Sequence, residues 1–223
     1  MPTRTILALD LSTPRGDLAV LRGEDVVFTS AFVSERSHNA QVFAPLREAL
    51  AVAGSDLDLI VIGTGPGSYT GVRIAIAAAQ GVALSRSVPV IGWSSITAPA
   101  DASLPGYRVI GDARRGSHYV TSVVEGALQA DLRVMSSAEA QALVETQAGL
   151  PWLTFDARVP FTLPQIGLAQ PSAATLAQNV LRLSSVQLGQ LAERPLEPIY
   201  LAEAFITTAR KPGKQVPVAK EGR

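Results

Sequence analysis

The stretch that decides the fold lies between Asp58 and Ser85 and reads DLIVIGTGPGSYTGVRIAIAAAQGVALS. An unbroken apolar run, Leu59 to Ile62, predicts a buried strand, and a helix follows the glycine loop from near Val72. Glycines permit close backbone approaches that a Cβ would block, and the first N–H groups of a helix have no intrahelical partner. The pattern therefore predicts a strand, a tight loop and a helix N-terminus, a geometry that suits an anion.

The helix after this loop is apolar almost all the way round. Ile, Val, Leu and Ala fill most positions between Val72 and Ser85. A helix without a polar face needs cover on both sides. The sheet of the same lobe packs against one side of the helix, and we predict that a second protein packs against the other side.

Composition limits the function classes. The chain has 223 residues, 47% of them apolar, a formal net charge of zero and no cysteine. Zero net charge argues against a stand-alone nucleic-acid binder, and the lack of cysteine removes disulfides and thiolate chemistry. The N-terminal apolar run is too short for a signal peptide, and the helix after Gly71 is too short and alanine-rich for a membrane span. We expect a cytoplasmic protein.

The order of the elements predicts an α/β fold. Three short N-terminal strands form a meander, and alternating helices and strands follow, which gives a mixed five-stranded sheet with helices on both faces. Residues 1–99 form this N-terminal lobe, and a proline-containing linker starts a C-terminal lobe at 100–208. Every lysine of the chain lies at 211 or beyond, so 209–223 is predicted to be a basic, disordered tail.

Candidates for an anion or nucleotide site lie at the predicted strand ends and in the glycine loop. Asp10 and Asp112 each end the first strand of a half, where actin-like phosphotransferases hold a metal and a nucleotide. Such an aspartate can equally form a local turn. The glycine loop lacks the lysine of a Walker motif and the spacing of a dinucleotide fingerprint, so an anion nest and a tight packed turn both remain open. The candidates are Asp10, Ser12, Thr13, Gly65, Gly67, Ser68 and Asp112.

The sequence lacks the residue patterns that hydrolases use. The two histidines, His38 and His118, are far apart in the sequence. The chain therefore contains neither of the helical metal-binding motifs His-Glu-x-x-His and His-x-x-x-His. Ser68 is one residue out of register with a nucleophile elbow. We therefore predict no metal site and no catalytic residues. A phosphotransferase using Asp10 and Asp112 and a peptidase remain the alternatives.

Several motifs together resemble one family. They are Ile6–Thr13, Glu35–His38, Gly65–Ile74 with Ala79–Gly81, Val90–Ser95, Asp112–Arg114 with Tyr119, and Pro198–Leu201. In this order they resemble the TsaB (YeaZ) family, the partner of TsaD in synthesis of threonylcarbamoyladenosine at position 37 of ANN-decoding tRNAs. The second lobe is less typical, since Gly116-Ser117-His118 precedes Tyr119 where the family has a residue such as Glu, and Ala202 follows Leu201 where it usually has Arg.

The resemblance implies a fold and a function. The fold would be two-lobed and actin-like or Hsp70-like (ribonuclease H-like), with a smaller, degenerate C-terminal lobe. The chain would be a non-catalytic scaffold that makes TsaD competent, joined by TsaE, homodimeric in isolation and in contact with tRNA only through the complex. It would have no cofactor of its own, with ATP or ADP near the TsaD interface. The helices Asn39–Ala53 and Val72–Ser85 would form the partner face, with Val42, Leu46, Arg73, Ile74, Ala77, Ala78 and Gly81 as its contacts.

Overall fold

Two mixed β-sheets form the framework of the molecule. The computed structural model describes residues 3–33 and 41–201. The predicted tail at 209–223 and the start of the helix predicted from Asn39 lie outside the described residues.

The first sheet has the predicted five strands. Their order is β3-β2-β1-β4-β5, and β2 alone runs antiparallel to the others. This order confirms the predicted ribonuclease H-like, actin-like lobe. The strands are β1 (Thr5–Asp10), β2 (Arg15–Arg22), β3 (Asp25–Val33), β4 (Leu57–Gly63) and β5 (Val90–Trp93).

Two helices cover one face of this sheet: α1 (Phe43–Ala53) and α2 (Tyr69–Arg86). They share a core with alternate residues of the central strands, including Leu7, Leu9 and Ile62. In a helix that began at Asn39, Pro45 would lie in the interior, where proline kinks the backbone. Pro45 instead lies in the first turn of α1, where a missing backbone N–H costs nothing.

The second lobe is built on its own sheet. The described strands are β6 (Gly106–Arg114), β7 (Ser117–Val124), β8 (Ala127–Leu128), β9 (Arg133–Ser136), β10 (Trp152–Thr154) and β11 (Ile166–Leu168). They are ordered β11-β10-β6-β7-β8, with β9 also paired to β7. One helix, α3 (Ser137–Thr146), packs against β7 and β9. With six described strands, this sheet has one strand more than the first.

The other face of the first sheet is covered by helices from late in the chain, α4 (Ala173–Leu181) and α5 (Ser185–Ala192). Leu176 and Val180 of α4 join a fully buried cluster with residues of β1, β2 and β4. The sequence placed this segment in a C-terminal lobe at 100–208, whereas both helices pack on the N-terminal sheet. The apolar face of α4 meets the apolar side chains that β1, β2 and β4 present on this side of the first sheet.

Candidate partner-binding surface

The glycine loop between β4 and α2 is packed directly against the loop that follows β1. The Ser68 N–H donates to the Ser12 carbonyl oxygen at 2.6 Å. A β-carbon on Gly67 would overlap that same carbonyl, and one on Gly71 would overlap the carbonyl of Leu11. The two loops therefore meet backbone to backbone, and these glycines are required for packing.

The Asp10 carboxyl is turned into the protein. Its Oδ1 accepts hydrogen bonds from the Ser12 N–H at 2.8 Å and the Ser12 hydroxyl at 2.6 Å. Its Oδ2 lies where a Gly63 β-carbon would be and has no hydrogen-bond partner in the part of the chain that the structure describes. Burial raises the pKa of Asp10, and this outweighs the opposing effect of Ser12 and the neighbouring Ser95 hydroxyl. Asp10 thus braces the loops around it.

The remaining N-terminal candidates are also engaged within the lobe. Ser68 caps α2, because its Oγ accepts a hydrogen bond from the Gly71 N–H at 3.2 Å. The Thr13 hydroxyl donates to the Arg15 carbonyl at 2.9 Å. The Gly65 N–H donates to the Ser95 Oγ at 2.9 Å. Of the two readings of the glycine loop, these contacts favour the tight packed turn.

Asp112 lies in the second lobe, at the end of β6. Its Oδ1 accepts from the Arg114 N–H at 2.7 Å, and its Oδ2 pairs with the Arg114 guanidinium at 3.2 Å. The Asp112 N–H donates to Asp156 at 2.7 Å. Burial raises the pKa of Asp156, and the charge of Asp112 adds to that rise. Asp112 is exposed whereas Asp10 is buried, so the two carboxyl groups lie in different environments.

His118 lies near a serine, as a hydrolase would require. Its Nδ1 is 3.3 Å from the Ser137 Oγ, but the Ser137 hydroxyl donates its proton to the Gly116 carbonyl at 2.8 Å. His118 is buried against the ring of Phe161, with centroids 4.8 Å apart. His38 lies outside the described residues. Within 3–33 and 41–201, no three His, Asp or Glu side chains are grouped so as to hold a metal ion.

The exposed face of α2 contains most of the predicted partner contacts. Arg73, Ala77 and Gly81 are exposed, and Ile74 and Ala78 are half-buried. Around Gly81 no atom of residues 3–33 or 41–201 lies within 4 Å of the position of a β-carbon. A glycine inside a helix costs about 1 kcal/mol relative to alanine, and packing among the described residues does not require it here.

An exposed leucine extends this face toward the end of the helix. Leu84, one turn beyond Gly81, leaves 86% of its side chain in solvent. The exposed part of α2 between Arg73 and Leu84 thus presents the small residues Ala77 and Gly81 beside the polar side chain of Gln80.

The α1 contacts were predicted wrongly. Val42 and Leu46 are buried in the core beneath α1 and α2, together with Leu18 and Val20 of β2. The apolar period of the segment marks its inner face, so these two residues stabilise the lobe. The outer face of α1 presents Phe43 and Arg47 instead.

A groove borders the start of α2, where the chain segment 195–201 runs past it. The Ile199 N–H donates to the Thr64 carbonyl at 2.9 Å and anchors this segment beside the glycine loop. The rings of Tyr69 and Tyr200 lie 5.8 Å apart. The Arg73 guanidinium donates to the Tyr69 hydroxyl at 3.0 Å and lies over its ring. The groove between them has a volume of about 360 Å³.

The two tyrosines of the groove titrate differently. Hydrogen bonding to Tyr200, and then to Arg73, lowers the pKa of Tyr69. The same contact with Tyr69 raises the pKa of Tyr200. The sequence assigned no role to either residue, although the Pro198–Leu201 motif and the glycine block together contain both.

Comparisons with known proteins match this chain along nearly all its length. The family model described as TsaD, tRNA N6-adenosine threonylcarbamoyltransferase, matches residues 32–175. The Haemophilus influenzae tRNA threonylcarbamoyladenosine biosynthesis protein TsaB is 28% identical over 96% of this chain and 100% of its own length. The chain belongs to the TsaB (YeaZ) family. The Escherichia coli TsaB is 34% identical over 51% of this chain and 52% of that protein.

The structural comparison agrees. YeaZ from Pseudomonas aeruginosa superposes with a TM-score of 0.63 and 25% identity, covering 88% of this chain and 99% of that one. A second Pseudomonas aeruginosa structure, described as an uncharacterized protein with similarity to peptidase YEAZ, gives a TM-score of 0.67 and 25% identity over 89% of this chain and 100% of that one. Among the described residues, no helix is long and apolar enough to cross a membrane.

Proposed function

We propose that this chain is a non-catalytic scaffold in the biosynthesis of threonylcarbamoyladenosine at position 37 of ANN-decoding tRNAs, where it binds the transferase TsaD and makes it competent. The names of the Haemophilus influenzae and Escherichia coli TsaB relatives support the pathway. The match to the TsaD family model supports common ancestry with the transferase and hence a partner of similar fold.

The observation that carries the partner role is the exposed face of α2. A helix interface needs small side chains so that two backbones can approach, and Ala77 and Gly81 supply them. Leu84 adds an apolar contact that nothing in the described chain covers fully. Arg73, beside the groove, would fix the register of the partner by charge.

Further members of the assembly follow from the same proposal. TsaE joins the complex of this chain with TsaD, and tRNA is contacted only through that complex. In isolation the chain forms a homodimer through the same face of α2. ATP or ADP binds near the junction with TsaD and not in the packed glycine loop. The protein acts in the cytoplasm.

Reconstitution tests the proposal. The tRNA modification is assayed with TsaD, TsaE and the adenylate-forming enzyme, with and without this chain. We expect activity only when the chain is present. Full activity without it would refute the scaffold role.

The interface is tested with a matched pair of variants. Gly81 and Gly189 both lie exposed in helices, and a β-carbon on either would meet no described atom within 4 Å. Gly81→Arg places an unpaired charge in the proposed interface, which costs on the order of several kcal/mol, so co-elution with TsaD should be lost. Gly189→Arg, on α5, should leave co-elution and activity unchanged. If both variants co-eluted with TsaD to the same extent, α2 would not be part of the interface.

A further inference from the structure

The first sheet ends in an open edge at β3. Among the described strands β3 pairs with β2 alone, so no strand within 3–33 and 41–201 lies beside its outer N–H and C=O groups. Folded proteins usually protect such an edge with charged side chains, proline or bulges. A bulge lies at Val27, near the turn from β2, but the register with β2 is regular from Phe28 to Val33. Between Val26 and Val33 the strand contains neither a charged residue nor a proline.

The sequence of this edge is nearly the same in both directions. Residues 27–33 read VFTSAFV, a palindrome about Ser30 in which only Thr29 and Ala31 differ. When two copies of one strand pair antiparallel about a two-fold axis, positions equally far before and after the central residue lie opposite each other. About Ser30, every residue except Thr29 and Ala31 therefore meets its own type, which makes the edge complementary to itself.

The pairs made in this register are favourable ones. Phe28 would lie opposite Phe32 of the second copy, and aromatic cross-strand pairs stabilise antiparallel strands. Both phenylalanines are partly buried against the core beneath α1, so the strand already holds them in place. At the ends of the palindrome, Val27 would lie opposite Val33, and these side chains are 40% and 66% exposed in the single chain. Pairing would bury both and would satisfy the outer backbone groups of the strand.

We propose that β3 pairs antiparallel with β3 of a second copy of this chain about Ser30, which joins two five-stranded sheets into one continuous sheet. This surface is separate from the exposed face of α2, because α2 packs on β1, β4 and β5, toward the opposite edge of the sheet. The pairing therefore leaves the α2 face free in both copies and does not depend on the proposed function.

Disulfide cross-linking tests the register, because the chain has no cysteine and one introduced thiol is then the only one. Residue 30 would lie opposite its own copy, with Cβ atoms about 4.5–5.5 Å apart, whereas residue 29 would be about 7–8 Å from its copy. A disulfide needs Cβ atoms about 3.5–4.5 Å apart. Under oxidation by copper phenanthroline, Ser30→Cys should form a covalent dimer and Thr29→Cys should stay largely monomeric. Random collision would give the opposite result, since Thr29 is the more exposed of the two.

Charged variants test the pairing without a thiol. Thr29 and Ala31 are both exposed, and in this register each lies opposite the other in the second copy. A chain with Thr29→Lys and Ala31→Lys should be monomeric in sedimentation velocity, because like charges would face each other twice. A chain with Thr29→Glu and Ala31→Glu should behave in the same way. Mixing the two chains should restore the dimer, since each lysine then faces a glutamate.

Both tests are made in chains that also contain Gly81→Arg, so that association through the α2 face does not contribute. Gly189→Arg, on α5, is the control and should leave the dimer unchanged. Absence of a dimer in the Gly81→Arg chain at every protein concentration would overturn the proposal. So would a dimer that persists in the lysine chain alone, or cross-linking of Thr29→Cys without that of Ser30→Cys. Binding of TsaD to the Gly81→Arg chain would contradict the proposed function and leave the β3 pairing intact.

Discussion

Gly71→Ala tests whether the glycine loop is built for packing. Gly71 lies in the first turn of α2, and a β-carbon there would be 3.1 Å from the Leu11 carbonyl carbon and nearer still to its oxygen. Helix propensity alone favours alanine by about 1 kcal/mol. Overlap with backbone costs more, typically about 1–3 kcal/mol, because neither loop can move without disturbing the contact of Ser68 with Ser12. Where the loop shifts to relieve the overlap, the Ser68 Oγ, 3.2 Å from the β-carbon position, loses its hydrogen bond from the N–H of residue 71, which adds about 1 kcal/mol. We expect a net destabilisation of roughly 1–3 kcal/mol.

Gly81→Ala is the matched control for this experiment. It gains the same propensity in the same helix, and its β-carbon meets open space, so it should stabilise the isolated chain by up to about 1 kcal/mol. Urea unfolding of both variants measures the midpoint and slope, and each kcal/mol should shift the melting temperature by about 2–4 °C in a chain of this size. If Gly71→Ala were as stable as Gly81→Ala, the loop would have room at this position, and the anion nest would become the better interpretation.

Two further predictions concern ionisation. Burial raises the pKa of Asp10 in the folded state, so the stability from its proton is present below the unfolded pKa of about 3.9 and is lost as the pH rises through the folded value. The unfolding free energy of the native chain should therefore fall relative to that of Asp10→Asn as the pH rises from about 4. Urea unfolding at several pH values measures this difference. A difference in unfolding free energy that does not change with pH would contradict the buried carboxyl. In an ultraviolet titration of phenolate, Tyr69 should ionise first and Tyr200 later, since their contact shifts the two pKa values apart. Tyr200→Phe should move the first step to higher pH, and an unchanged first step would show that the phenols do not interact.

Local patterns were enough to predict the first sheet and its two helices. The apolar run in β4, the glycine loop and the apolar helix that became α2 are each encoded within a few residues, so periodicity finds them. The positions of the later helices depend on packing between distant parts of the chain. The position of α4 on the first sheet depends on residues more than eighty positions away, and nothing near Ala173 indicates which sheet its apolar face will meet.

The candidate site shows the same division. Arg73 and Ala77 were predicted as partner contacts from the small, apolar residues of the helix, and both are exposed on α2. Their contact with a partner stays a prediction. Val42 and Leu46 were assigned to the same surface and are buried, since a one-sided apolar period marks an inner face and not an outer one. Asp10 was predicted as a ligand-site residue because it lies at the end of a strand. Whether such a carboxyl points into a cleft or into the protein depends on the loops that pack over it, which the local sequence does not indicate.

The cover of the first sheet by α4 has a consequence for synthesis of the chain. The five strands of that sheet are complete at Trp93, but Leu176 and Val180 fill one of its faces only after the whole second sheet has been made. Translation of residues 94–181 takes on the order of 4–18 s at about 5–20 residues per second. During that interval the nascent first lobe exposes one side of β1 and β4 to solvent, to chaperones and to other nascent chains.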